Sequence, residues 1–256
     1  MRFFIKYLSI VIGLLVLFMA ETSLAEDDFE VVAAEGSVMV GDDTGTLMKT
    51  AQIKRPLAAG KILKTGDTAR AVVRVGSDGF IILGKNSQIE VGKKKDQVGF
   101  FRQISGIVYY ALNSIKSNQR PIEVRTAATT IGIRGTRFIV SDESERNEVG
   151  MRKGVVSIAS NEGEFEIHKK SQQDEFDSFK QEGVAAIAKE QHEFNEYNSK
   201  NQKEFIEYKR EFSLEANRMA SFDGKKVLDR PLSGEIQRSM ESFENYAAEW
   251  LKTVRD

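Results

Sequence analysis

Short runs in which apolar and charged residues alternate, broken by glycine-centred turns, decide most of what this chain can fold into. Ala71, Val73 and Val75 alternate with Val72 and Arg74; Ile89 and Val91 with Gln88 and Glu90; Ile122, Val124 and Thr126 with Glu123 and Arg125. Phe138 and Val140 follow Gly135-Thr136, and Phe165 and Ile167 sit among Glu164, Glu166 and His168. A period of two places the apolar members on one face of a strand and the charges on the other. Gly76-Ser77-Asp78-Gly79 signals a tight hairpin. Phe80 to Leu83 is a continuous apolar run, compatible with a strand buried on both faces. Such turn signals recur closely along residues 26–189, a spacing that suits an all-β domain.

The period changes near residue 190. Residues 190–256 are rich in Glu, Lys, Asn and aromatic side chains, and glycine almost disappears. Phe194, Tyr197, Asn201, Phe205, Tyr208, Phe212, Ala216 and Met219 are spaced by three or four, which predicts one amphipathic helix. Asp223-Gly224 and Pro231 interrupt it. Ser233 is placed to cap a second helix, with Glu235 in its first turn and a stripe of Ile236, Met240, Phe243, Ala247, Trp250, Leu251 and Val254. The expected architecture is therefore a mainly β domain followed by a C-terminal α-helical hairpin.

The N-terminus carries an export signal. Arg2 and Lys6 precede an uncharged run from Tyr7 to Ala20, and Ser23-Leu24-Ala25 follows. Small residues at those places suit signal peptidase, so cleavage is expected between Ala25 and Glu26; the alternative is an uncleaved N-terminal anchor. The run is shorter than the roughly 20 residues of a spanning helix. Removing residues 1–25 takes away Arg2, Lys6 and Glu21 and leaves 35 basic against 37 acidic residues. That balance argues against a nucleic-acid binder. The chain has no cysteine, so disulfides cannot hold it together.

The β region resembles the FecR-type domain, a family of bacterial extracytoplasmic proteins, over about residues 30–188. Gly60-Lys61-Ile62-Leu63-Lys64-Thr65-Gly66 is similar to its "G-x-x-L-x-T-G" element, and Asp78-Gly79, Leu83-Gly84 and Asn86-Ser87-Gln88-Ile89 to its "DG…LG-x-N-S-x-I". Gly106-Ile107-Val108 and Gly154-Val155-Val156 fit its "G-x-V". Val124-Arg125-Thr126 followed by Gly132-Ile133-Arg134-Gly135-Thr136-Arg137-Phe138 resembles its most specific stretch. Gly36-Ser37-Val38 opens the resemblance and Glu182 to Ile187 closes it. The resemblance implies a β-rich fold, solenoid-like or sandwich-like, and a periplasmic signalling context. Members with that role carry a cytoplasmic N-terminal segment that controls a sigma factor. Only six residues precede the apolar run here, which leaves no room for one.

The motif residues read as turn chemistry: the glycines supply positive φ, and Asn86, Ser87 and Thr136 bond nearby backbone. The competing role, anion binding by Arg134 and Arg137, is the lesser one. His168 and His192 are expected on wet faces, Asp42-Asp43-Thr44-Gly45 in a polar turn rather than a calcium loop, and Lys93-Lys94-Lys95 in a solvated loop. No nucleophile elbow, metal-peptidase motif or phosphate loop is visible. No catalytic residue, metal ligand or cofactor is therefore expected. The aromatic stripe of Phe194, Tyr197, Phe205, Tyr208 and Phe212 is expected to pack internally or to serve self-association or partner docking. The function expected is a non-enzymatic binding or scaffold module in the periplasm or cell envelope of a Gram-negative bacterium. Its alternative is a periplasmic member of a signal relay linked to a sigma factor or a transporter.

Overall fold

The computed structural model describes residues 29–42, 48–76, 79–92, 100–112, 122–133, 135–144, 146–170 and 205–253. The expected signal segment with Ala25 and Glu26, together with Asp78, Arg134, Phe194 and Tyr197, lies outside them. The first strands are β1 (Phe29–Glu35), β2 (Val38–Asp42), β3 (Lys49–Thr50), β4 (Arg55–Pro56), β5 (Lys61–Thr65), β6 (Arg70–Val75), β7 (Gly79–Leu83) and β8 (Gln88–Val91). A long strand, β9 (Phe100–Leu112), precedes β10 (Ile122–Arg125), β11 (Thr129–Ile133), β12 (Thr136–Glu143), β13 (Arg146–Lys153), β14 (Val155–Ser160) and β15 (Phe165–Lys169). Then come β16 (Phe205–Lys209), β17 (Glu211–Glu215), β18 (Arg218–Asp223), β19 (Lys226–Pro231) and helix α1 (Gly234–Thr253).

The pairings form two layers. One runs β4-β1-β6-β7-β9-β12-β13-β18-β19-β15-β16. The other runs β3-β2-β5-β8-β9-β10-β11-β14-β17. Neighbours are antiparallel except β9–β10 and β15–β19. Strand β9 belongs to both layers: Phe101 to Ser105 pair in the second, and Gly106 to Leu112 in the first. The bend falls at Gly106, with φ +87°. An added Cβ there would lie 2.5 Å from Ser87 Cα and 2.7 Å from Asn86 O, so only glycine fits.

The core fills the space between the layers. Leu63, Ile89, Phe101, Ile131 and Leu214 of the second layer meet Val73, Ile81, Tyr110, Phe138 and Ile167 of the first. Phe29 packs edge-on against Phe101 at 4.7 Å, and Phe165 against Phe212 at 5.7 Å. The first layer is buried on its other face too. There Val32, Val72, Ile82, Tyr109, Ile139 and Met219 form a second cluster with Ile236, Met240 and Phe243 of α1. This explains the unbroken run at β7, where Ile81, Ile82 and Leu83 are all buried.

Helix α1 starts as expected: the Ile236 N–H donates to Ser233 Oγ at 3.3 Å, a capping bond. Gly150 lets the helix lie close, since a Cβ there would sit 2.7 Å from Ile236 Cγ2. The other half of the expected helical hairpin does not form over residues 205–223, which build β16, β17 and β18. Those strands pair with β15, β14 and β13. Pairing with three strands of the upstream region supplies burial that an isolated helix would lack. The mainly β expectation holds, and α1 is the one helix among the described residues. It is not apolar enough to cross a membrane.

Candidate interaction surfaces

Most of the described motif residues sit where the chain passes between layers. Thr65, fully buried, donates from Oγ1 to Gly84 O at 2.6 Å and accepts the Ser87 N–H at 2.9 Å. The Gly66 N–H donates to Ser37 O and its carbonyl accepts the Asn86 N–H, both at 2.9 Å. Ser87 Oγ donates to Ile107 O and accepts the Ile107 N–H, both at 3.0 Å. Asn86 has φ +52°. A second corner repeats the plan: Gly135 at φ +71° precedes buried Thr136, and both pack against Gly154 at φ +87°. Thr126 Oγ1 accepts the Thr129 N–H at 3.0 Å, Phe138 stacks on Tyr110 at 4.9 Å, and the Gly60 N–H donates to Val91 O. Not every glycine is there for its φ: Gly79 is needed for space, since a Cβ would lie 2.9 Å from Val75 O.

The first corner floors an open cleft along one flank of α1. One part, about 270 Å³, is lined by Asp67, Arg70, Gly84, Lys85, Ser239 and Phe243 among others. It adjoins a shallower part, about 420 Å³, that includes Arg70, Arg238, Glu241, Tyr246 and Glu249. The Arg70 guanidinium stands 5.3 Å over the Tyr246 ring. Burial first, then the charge of Glu35, pushes the Tyr246 phenol above its ordinary value. On the first layer, Tyr109 donates to Glu244 Oε1 at 2.5 Å; burial first, then this bond, pushes its phenol well up. Arg152 reaches Glu241 at 3.7 Å and Glu244 at 3.8 Å, and Arg137 reaches Glu244 at 3.8 Å. Arg137 therefore faces a carboxylate of the helix, with its side chain about half exposed.

The expected aromatic stripe is divided by the strands. Phe212 is buried in the core, whereas Tyr208 is 65% exposed on β16 next to Ile206 at 44%. The backbone of Phe205 pairs with Lys169. His168 departs from expectation. It is buried, and its Nε2 lies 2.8 Å from Glu166 Oε1. Among the described residues no group of three or more His, Cys, Asp or Glu is placed to hold a metal. Two features had no signal in the sequence: the cleft, whose walls are far apart in the chain, and a small cavity at the sandwich end beside Asp142. Burial alone raises the Asp142 carboxyl above its ordinary value.

Two layers joined at glycine corners, with a helix closing one face, define a layered β scaffold with open surfaces. Residues 61–157 match the family described as FecR protein, which agrees with the resemblance read from the sequence over that stretch. No curated protein matches the chain. Two crystal structures from Parabacteroides distasonis ATCC 8503, of a protein provisionally described as an anti-sigma factor, have some similarity to this chain. Each has 11% sequence identity and a TM-score of 0.44, with 68% of this chain and 61% of that one covered.

Proposed function

We propose that this chain is a non-enzymatic FecR-domain protein of the bacterial cell envelope that works by binding a protein partner. The observation that carries the proposal is the open cleft beside α1, where Arg70 stacks on Tyr246 and Lys85, Arg238, Asp67, Glu241 and Glu249 stand around them. Arginine and tyrosine in a shallow surface with a charged rim are the residues that dominate protein interfaces. The cleft is too open to enclose a small substrate, which typically needs a pocket that buries most of its surface. The FecR match supports a regulatory setting, and a role in a signal relay is the second form of the same proposal.

Affinity capture from envelope extract with residues 26–256 tests it, run beside the Arg70→Ala/Tyr246→Ala double variant. A partner held by the parent and lost by the variant is the expected result; no retained partner, or one held equally by both, removes the cleft as the binding surface. Truncation is a poorer probe, because β16 to β19 pair within both layers. Export is tested by N-terminal sequencing of the protein recovered from the periplasm: a start at Glu26 is expected, and recovery in the cytoplasm with Met1 or Arg2 in place overturns it.

A further inference from the structure

Among the described residues, the carboxylates that are partly or fully buried face a cation or, for Glu166, the His168 ring, with one exception. Glu30 pairs with Arg74 and Glu90 with Arg102. Asp229, almost fully buried, takes Arg218 Nε at 2.7 Å, and Glu148 has Arg146 at 3.6 Å and Arg230 at 3.7 Å. The Asp142 side chain is half-buried, yet no cation and no hydrogen bond among the described residues offsets its charge. A partly desolvated carboxylate without a partner is costly, and the cost is removed when a cation arrives.

Room for that cation is present. Asp142 lies one residue before the end of β12, directly opposite Asn147 of β13, two residues after the core residue Val140 and on the same face. Both line a cavity of about 60 Å³ at the sandwich end, closed by the Thr126–Thr129 turn, Glu148 and Phe222. The Thr126 and Thr129 hydroxyls are 2.9 Å apart, and lone pairs remain on them to accept further bonds. Two other titratable groups stand beside Asp142: Glu148, which is paired with Arg146 and Arg230, and Tyr110, whose hydroxyl donates to Gln103 Oε1 at 2.9 Å and so cannot neutralise the carboxylate.

From this geometry we propose that the sandwich end around Asp142 binds a single ammonium group, the head of a lysine presented by a protein partner. The donor set selects it. A divalent cation takes about six to eight oxygen ligands, commonly from several carboxylates, and only one uncommitted carboxylate is here. A guanidinium needs a planar two-pronged acceptor and more width. An ammonium offers three donors around a point, and Asp142, Asn147 and the Thr126 and Thr129 hydroxyls, all lining the cavity, are the acceptors at hand. The cavity holds an ammonium and one or two methylenes, well below the roughly 300 Å³ at which small-molecule pockets begin. The lysine's source rests on the partner-binding reading above; the cation chemistry of the cavity does not.

The test is NMR of the side-chain carboxyl carbons of labelled residues 26–256, titrated separately with methylammonium, methylguanidinium, sodium and calcium chlorides. The expected result is a saturable shift of the Asp142 signal with methylammonium alone. The Asn147→Ala variant weakens it, and Asp142→Asn, with its amide spectrum otherwise unchanged, loses the associated amide shifts near the cavity by about tenfold or more in affinity. An equal response to sodium, a tighter response to calcium, or no saturable response overturns the proposal. A positive titration followed by affinity capture without any partner would keep the ammonium site and remove the lysine as its source. A captured partner with no methylammonium response would keep the partner-binding reading and overturn the ammonium site.

Discussion

At the scale of single residues, the corners separate what a glycine does from where it sits. Gly106 and Gly76 both have positive φ, at +87° and +57°. A Cβ at Gly76 meets nothing within 4 Å, whereas one at Gly106 runs into Ser87 and Asn86. Gly76→Ala should therefore cost about 1 kcal/mol, the left-handed penalty alone, and Gly106→Ala about 3–5 kcal/mol. Urea unfolding of the two variants checks it, and similar midpoints would show that the β9 bend can relax. The sequence identifies both as turn glycines, but not that Gly106 bends one continuous strand, because its contacts come from residues 86 and 87. Asp142 gives a pH prediction of opposite sign to most carboxylates. Its folded pKa is raised by burial, so the folded state binds the proton more tightly than the unfolded chain. Its contribution to stability is greatest below the unfolded carboxyl range and falls as pH rises through the folded value. Asp142→Asn should thus stabilise the protein at neutral pH and flatten the decline of stability between mildly acidic and neutral pH, as measured by melting temperature across that range.

At the scale of elements, α1 is held by a small set of side chains with separable roles. Phe243 is buried beneath the helix and stacks near Tyr109 at 6.1 Å. Phe243→Ala should destabilise by about 3–5 kcal/mol, while Ser233→Ala, which removes only the cap, should cost about 1 kcal/mol. Chemical denaturation of both variants reads the difference. This helix was legible because Ser233, Glu235 and a stripe spaced by three and four agree on one start and one face. The stretch before it was not, because two periods fit the same residues. Phe205, Tyr208 and Phe212 satisfy a helix, and Phe212 and Leu214 between Glu211, Ser213 and Glu215 satisfy a strand. The second pattern prevails since β14 offers five register partners from Val155 to Ala159, and nothing local in the sequence announces that partner. The candidate surfaces were illegible for the same reason: Arg70 and Tyr246 meet only because α1 returns across the first layer.

At the scale of the whole molecule, β9 and α1 determine how the parts lose structure together. β9 is hydrogen-bonded in both layers, so neither layer can unfold without breaking the other's central strand. Helix α1 has no such bond to the sheet; side chains alone fasten it. The single tryptophan reports on that attachment. Trp250 lies on α1 with its ring 6.2 Å from Phe80 of β7, so release of the helix moves it into water whether or not the sheet survives. The loss of the helix would also uncover Val72, Ile82, Tyr109, Ile139 and Met219 as one apolar face, which strongly opposes a stable helix-free state in water. Tryptophan emission and sheet circular dichroism should therefore change at the same urea concentration, as expected when burial couples the helix to the sandwich. A red shift that precedes the loss of sheet signal, accompanied by light scattering, would instead show that α1 opens by itself. In that case the covered face of the first layer, rather than the cleft beside the helix, would be the larger surface available to a partner.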